Sequence, residues 1–218
     1  MIEPGQKALR RKSLRDDALN LPNLLTMGRV AAIPLVLWLM WIDTRETNFW
    51  AMMLYSAAAV TDFIDGYLAR RMGLTSLLGK FLDPLADKLI VLATLVMMVA
   101  QGRMPALGVV AVIIIAAREL SVTALRTIAI SEGVVIAASR GGKDKTAVQM
   151  VAVLALILHD TYYMDYGFYE GIVDMNAVGL WLLYLSVVFT VTSAGEYVAL
   201  FVDAVEAKDR RLMERGEE

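Results

Sequence analysis

Cysteine is absent from this chain, and histidine occurs once, at His159. The first absence removes disulfides, thiolate zinc sites and thiol nucleophiles. The second removes any metal centre built from several imidazoles. Charge is scarce too: Asp, Glu, Lys and Arg make up 20% of 218 residues, while 58% are hydrophobic and the mean hydropathy is +0.57. So apolar a composition does not suit an ordinary soluble domain and predicts a membrane protein, with the length of one domain. There is no internal repeat and no low-complexity segment.

Six apolar stretches run approximately over 23–42, 49–70, 77–100, 105–130, 146–159 and 177–202. About 20 residues cross ~30 Å of hydrocarbon. The fifth stretch is short, but Lys143 before it and Tyr162 and Tyr163 after it extend it into the interfaces. The expected fold is therefore an all-α membrane protein with six transmembrane helices. Segment 1–21 is polar and basic, with Arg10, Arg11, Lys12 and Arg15, and no apolar run follows directly, so no cleaved signal peptide is expected. Ala8, Leu9, Leu14, Ala18 and Leu19 among its charges predict an amphipathic interfacial helix on an anionic leaflet; the other reading is a disordered tail. This gives an interfacial segment at 1–21, a membrane domain at 22–205 and a tail at 206–218.

Alternate loops at 43–48, 101–104 and 160–176 hold only Arg45 and Arg103 of the chain's 21 basic residues. The last of these loops carries Asp160, Asp165, Glu170 and Asp174. By the positive-inside rule, both termini and the loop after the second span face the cytoplasm.

That loop lies within the one dense acidic pattern, D-x2-D-G-x2-A-R-x8-G-x3-D-x3-D, made by Asp62, Asp65, Gly66, Ala69, Arg70, Gly79, Asp83 and Asp87. Ionised groups beside a bilayer are costly and are mostly kept for function. Asp62 and Asp65 are three apart and Asp83 and Asp87 four apart, so each pair shares a helix face. Two antiparallel helices would bring the pairs together, and four carboxylates so close repel unless divalent cations sit among them. Oxygen-only ligation suits magnesium or manganese, metals that also hold phosphate oxygens, which points to a diphosphate substrate. Gly66, Ala69 and Gly79 let a flat base or sugar approach the helix backbone, although close helix packing also uses small residues. Pro84 offers Asp83 a second reading, as a helix cap.

The pattern resembles that of the CDP-alcohol phosphotransferase family, with all eight positions filled. The resemblance implies six transmembrane helices, a homodimer, and transfer of a phosphatidyl or phosphoalcohol group from a CDP-linked donor to an alcohol with release of CMP. It also implies two metal ions held by Asp62, Asp65, Asp83 and Asp87, Asp87 as general base, and CDP binding by Gly66, Ala69, Arg70 and Gly79.

The basic residues bear on the acceptor. Arg118 and Arg126 lie on the fourth span, and Lys143 and Lys145 open the fifth. Arg118, some ~20 Å from the outer end of its span, needs an anion or a polar cavity. Glu119 is a local partner for Arg126, nearly on the same face, which would leave Arg118 for a ligand. Converging cations suit an acceptor with its own phosphate, the other reading being topology signals with snorkelling side chains. Leu21-Pro22-Asn23-Leu24-Leu25-Thr26 with Arg29, Arg118-Glu119-Leu120 with Arg126, and Gly142-Lys143-Asp144-Lys145-Thr146 with Gln149 resemble bacterial phosphatidylglycerophosphate synthases. This implies CDP-diacylglycerol and glycerol 3-phosphate as substrates, with Asn23, Thr26 and Arg29 lining the donor pocket. Membrane lipids are the expected surroundings, and no nucleic-acid partner is expected. Alternatives are a sister enzyme using inositol 1-phosphate or serine, a magnesium-dependent prenyltransferase, and an ion transporter. The roles of His159, Glu196, Thr190, Thr192 and Ser193 are left open, with none expected in catalysis for His159.

Overall fold

A computed structural model describes residues 21–72, 77–131, 141–165, 167 and 170–215. Side chains are described for these except 21–23, 62–72, 77–85, 87, 141–145, 209, 211–212 and 214–215. The interfacial helix expected over 1–21 lies almost wholly outside the described residues.

The described chain is mostly helical: α1 (Leu21–Ile42), α2 (Arg45–Met72), α3 (Leu77–Ala100), α4 (Ala106–Ser131), α5 (Gly141–Leu158) and α6 (Met175–Arg215). Three stretches, Leu24–Ile42, Ala106–Ser131 and Met175–Lys208, are long and apolar enough to cross a membrane. Lys88–Ala100 and Thr146–Leu158 are shorter apolar helices. Large apolar side chains cover the outside, with Trp41 71%, Leu120 66% and Trp181 73% exposed. An outer surface so apolar is suited to lipid rather than water and marks an integral membrane protein.

The helix boundaries follow from local chemistry. Thr44 caps α2: its Oγ1 accepts from the Thr47 amide at 3.2 Å, and Thr47 Oγ1 accepts from the Thr44 amide at 3.0 Å. Asp174 caps α6, its Oδ1 accepting from the Asn176 and Ala177 amides at 2.9 and 3.1 Å. Gly102 ends α3 at φ 69°, with its amide bonded to Val99 O and the Arg103 amide to Met98 O.

The core gathers Val36 and Met40 of α1, Tyr55 of α2, Leu95 and Met98 of α3, Ile115 of α4, and Leu183 of α6 around α5. Ala152, Val153, Leu156 and Ile157 of α5 are all buried, so this 18-residue helix packs as an interior element. Where α6 crosses it, a Cβ on Gly179 would lie 2.6 Å from Leu156 Cγ and 2.9 Å from the Leu156 backbone nitrogen. Backbone cannot yield as a flexible side-chain tip can. Gly179→Ala is therefore expected to cost about 1–3 kcal/mol, read as a fall in apparent melting temperature in detergent. An unchanged melting temperature would show that the two helices can separate freely.

Two features depart from the expected layout. Thr161–Asp165 and Glu170–Asp174 form an antiparallel hairpin, β1 and β2, pairing Thr161 with Asp174 and Asp165 with Glu170. Tyr162, Tyr163, Ile172 and Val173 are strand formers, and exposure alternates along both strands. Asp165 Oδ1 accepts from the Gly167 amide at 2.7 Å, and Gly167 takes φ 75° in the turn. In addition, α6 continues to Arg215, well past the apolar stretch that ends near 202.

A polar knot ties one end of the bundle. Arg103, with its side chain 2% exposed, donates to Asp43 Oδ1 at 2.5 Å, Asn48 Oδ1 at 3.1 Å and Ile157 O at 3.3 Å. Burial pushes the guanidinium below its ordinary range, and Asp43 and Asp160 draw it back. Gln101 donates to Met40 O at 2.6 Å, while Arg45 donates to Thr161 O at 2.7 Å and stacks on Tyr162. These contacts join the α1–α2, α3–α4 and α5–β1 junctions. The start of α1, the end of α2, the start of α3, the end of α4 and the start of α5 consequently lie at the opposite end.

Candidate active site

The candidate site residues fall in those opposite helix ends, except Arg118, which stands at mid-helix. Asn23, Thr26 and Arg29 are in the first turns of α1; Asp62, Asp65, Gly66, Ala69 and Arg70 are in the last turns of α2. Gly79, Asp83 and Asp87 are in the first turns of α3, Arg118 at the middle of α4 and Arg126 in its second half, and Lys143 and Lys145 at the start of α5.

Helical register connects the acidic pattern to the buried core. On α2, Ala51, Tyr55 and Ala58 are buried and follow one another by four and three residues. The same steps, continued, arrive at Asp62 and Asp65. On α3, Thr94 and Ile90 are buried, and steps of three and four residues from Ile90 arrive at Asp87 and Asp83. The pairs thus occupy the continuation of two core stripes on consecutive helices. The side chains of the four aspartates lie outside the described residues, as do those of Asn23, Arg70, Lys143 and Lys145. Among the described residues no group of three or more acidic or histidine side chains forms a metal site. Asp83 is not a helix cap: α3 begins at Leu77, more than a turn earlier, so Pro84 lies inside the helix.

The described side chains at this end include a charged cluster. Arg118 Nη1 donates to Glu119 Oε1 at 2.7 Å, and Arg118 Nη2 donates to Ser193 Oγ of α6 at 3.1 Å. Glu119 Oε2 lies 3.7 Å from Lys88 Nζ of α3, and Lys88 also donates to Thr123 Oγ1. The expected pairing of Glu119 with Arg126 is thereby overturned. Both carboxylate oxygens of Glu119 are engaged, by Arg118 bending back to its neighbour and by Lys88. Arg126 is exposed, and its guanidinium lies 6.0 Å from the Tyr197 ring centre. Thr26 and Arg29 are buried, at 1% and 3% exposure.

A cleft opens beside the cluster, lined by Lys88, Glu119, Thr146 and Gln149 at polar positions. Tyr55, Val91, Leu95 and Ile115 give it an apolar wall leading towards the core. Such a cleft accepts an apolar chain along its wall and an anion at its charged rim.

Two participants were not singled out from the sequence. Lys88 is the last charge on α3 before twelve uncharged residues, and an ionisable group bordering a membrane helix is itself a signal. Ser193 stood among hydroxyls of unassigned role; its partner became visible only when α6 was placed beside α4.

Comparison with known proteins gives a consistent result. Residues 19–192 match the family model described as CDP-alcohol phosphatidyltransferase. A Bacillus subtilis protein named CDP-diacylglycerol–glycerol-3-phosphate 3-phosphatidyltransferase is 36% identical over 87% of this chain and 99% of its own length. A Rickettsia bellii protein of the same name is 32% identical over 82% of this chain and 93% of its own. A rice protein named cardiolipin synthase (CMP-forming) is 40% identical over 64% of this chain and 46% of its own. With the family model spanning most of the chain, and the acidic pattern placed on the end of α2 and the start of α3, this chain belongs to the CDP-alcohol phosphatidyltransferase family.

Proposed function

We propose that the chain transfers the phosphatidyl group of CDP-diacylglycerol to glycerol 3-phosphate, forming phosphatidylglycerol phosphate and CMP. The observation that carries this reading is a pair of cations at the bundle end that holds the acidic pattern: Lys88 lines an apolar cleft, and Arg118 is joined to it through the cleft-lining Glu119. The names of the bacterial relatives support the same substrates.

The donor set fits two divalent ions, magnesium or manganese, held by Asp62, Asp65, Asp83 and Asp87, because it offers hard carboxylate oxygens and no soft ligand. When bound, such ions offset the diphosphate charge and polarise the phosphorus. The chain supplies the rest. Asp87 accepts the proton of the attacking hydroxyl. That oxygen bonds to the phosphatidyl phosphorus as the bond to CMP breaks in line. Gly66, Ala69 and Gly79 leave room for the nucleotide, with Arg70, Asn23, Thr26 and Arg29 completing the donor site. Arg118, Arg126, Lys143 and Lys145 receive the acceptor phosphate.

The setting proposed is a six-span homodimer in the bacterial inner membrane. A segment at 1–21 lies on the membrane surface, the membrane domain covers 22–205 and a tail covers 206–218. Both termini and the site face the cytoplasm.

Purified protein given CDP-diacylglycerol should release CMP with glycerol 3-phosphate and not with inositol 1-phosphate or serine. Release with inositol 1-phosphate alone would transfer the chain to a sister activity. Arg118→Ala should raise the KM for glycerol 3-phosphate by about tenfold or more, in line with loss of a charge-assisted bond, and leave the donor KM near its original value. A change confined to the donor KM would remove Arg118 from the acceptor site.

A further inference from the structure

One carboxylate at the cleft rim serves two cations from different helices. Glu119 gives Oε1 to Arg118 of α4 and Oε2 to Lys88 of α3. Both cations have further anchors, Arg118 on Ser193 and Lys88 on Thr123, whose hydroxyl donates to Glu119 O at 2.6 Å. Neither cation therefore depends on Glu119 alone for its position. The carboxylate is also 26% exposed, so it can turn to water without leaving a buried charge behind.

We propose that Glu119 is a built-in counter-anion that occupies Arg118 and Lys88 until a phosphate dianion displaces it, making it a specificity-determining residue and Lys88 a further phosphate ligand. This rests on the acceptor reading above. A dianion attracts each cation about twice as strongly as a carboxylate at equal distance. A phosphate monoester can thus take both cations, whereas a neutral alcohol leaves them with Glu119. The cost of displacing Glu119 is subtracted from every acceptor's affinity. Selectivity is gained at the expense of affinity, because only a doubly charged group recovers that cost.

The test uses the full chain in detergent and inorganic phosphate as probe. Glu119→Gln keeps the size and one acceptor oxygen but removes the charge. It should lower the KM for glycerol 3-phosphate, and the Ki of phosphate as its competitor, by about fivefold each, with the donor KM unmoved. A purely structural Glu119 would instead shift both KM values together or raise the acceptor KM, and either result overturns the proposal. Lys88→Gln should raise the phosphate Ki about tenfold; a change under about twofold also overturns it, including when Glu119→Gln fails to fold. Phosphate protection against heat supplies a readout independent of turnover. A wild-type protein that uses inositol 1-phosphate in place of glycerol 3-phosphate sinks the acceptor reading while leaving the phosphate comparison in force.

Discussion

Asp87→Asn is expected to abolish turnover, by about a thousandfold or more, and to leave the protein folded and inserted. A positioned general base contributes roughly 10²–10⁴ to rate, and this substitution also removes one charge from the proposed metal set. The amide has nearly the size of the carboxylate, so packing changes little. Asp87 lies between the buried Ala86 and the cleft-lining Lys88 and belongs to the stripe that continues through Ile90 and Thr94. The checks are initial rate and melting temperature on one preparation. Retained activity above about a tenth of wild type would remove Asp87 as base. Lost activity with a lowered melting temperature would mean that the residue acts through the fold.

The second large effect is expected at the opposite end. Arg103→Ala removes a nearly buried side chain and its bonds to Asp43, Asn48 and Ile157 O. Asp43 is 48% exposed on its side chain and can rehydrate, but Ile157 O and Asn48 are buried and lose a donor. Hydrogen bonds to charged groups contribute about 1.5–3 kcal/mol, and an unsatisfied buried acceptor adds to the cost. About 3 kcal/mol is expected, a fall of roughly 6–12 °C in melting temperature for a chain of this size. Asp43→Asn keeps the acceptor oxygen and tolerates the local φ of 57°, so it should cost only about 1 kcal/mol. Equal losses from the two substitutions would contradict the burial argument. The acceptor KM of Arg103→Ala should be unaltered at a permissive temperature, because the knot and the cleft occupy opposite ends.

Much of this arrangement was legible in residue spacing. The helices over 21–42, 77–100 and 106–131 agree closely with their apolar runs, because predominantly apolar segments satisfy their backbone in lipid only as helices. The steps of three and four through Asp62, Asp65, Asp83 and Asp87 continue the buried stripes of their helices. Other features were hidden for identifiable reasons. The strands at 161–165 and 170–174 are short, and their acidic residues read as a polar loop until their pairing was seen. The extension of α6 to Arg215 carries charge on a helix without apolar periodicity strong enough to announce it. Arg118 was expected to be left for a ligand because Glu119 was assigned to Arg126 on the same helix face. A long side chain bending onto its neighbour, with Ser193 75 residues away, is a tertiary outcome that local pattern does not encode.

Product identity decides the central claim. Purified protein in mixed micelles would receive CDP-diacylglycerol, labelled glycerol 3-phosphate and magnesium, and the lipid would be identified by thin-layer chromatography and mass. Labelled phosphatidylglycerol phosphate should accumulate with CMP in equal amounts and vanish when a chelator removes divalent ions. A labelled lipid formed equally well in chelator, or none formed while CMP is released to another alcohol, would contradict the claim.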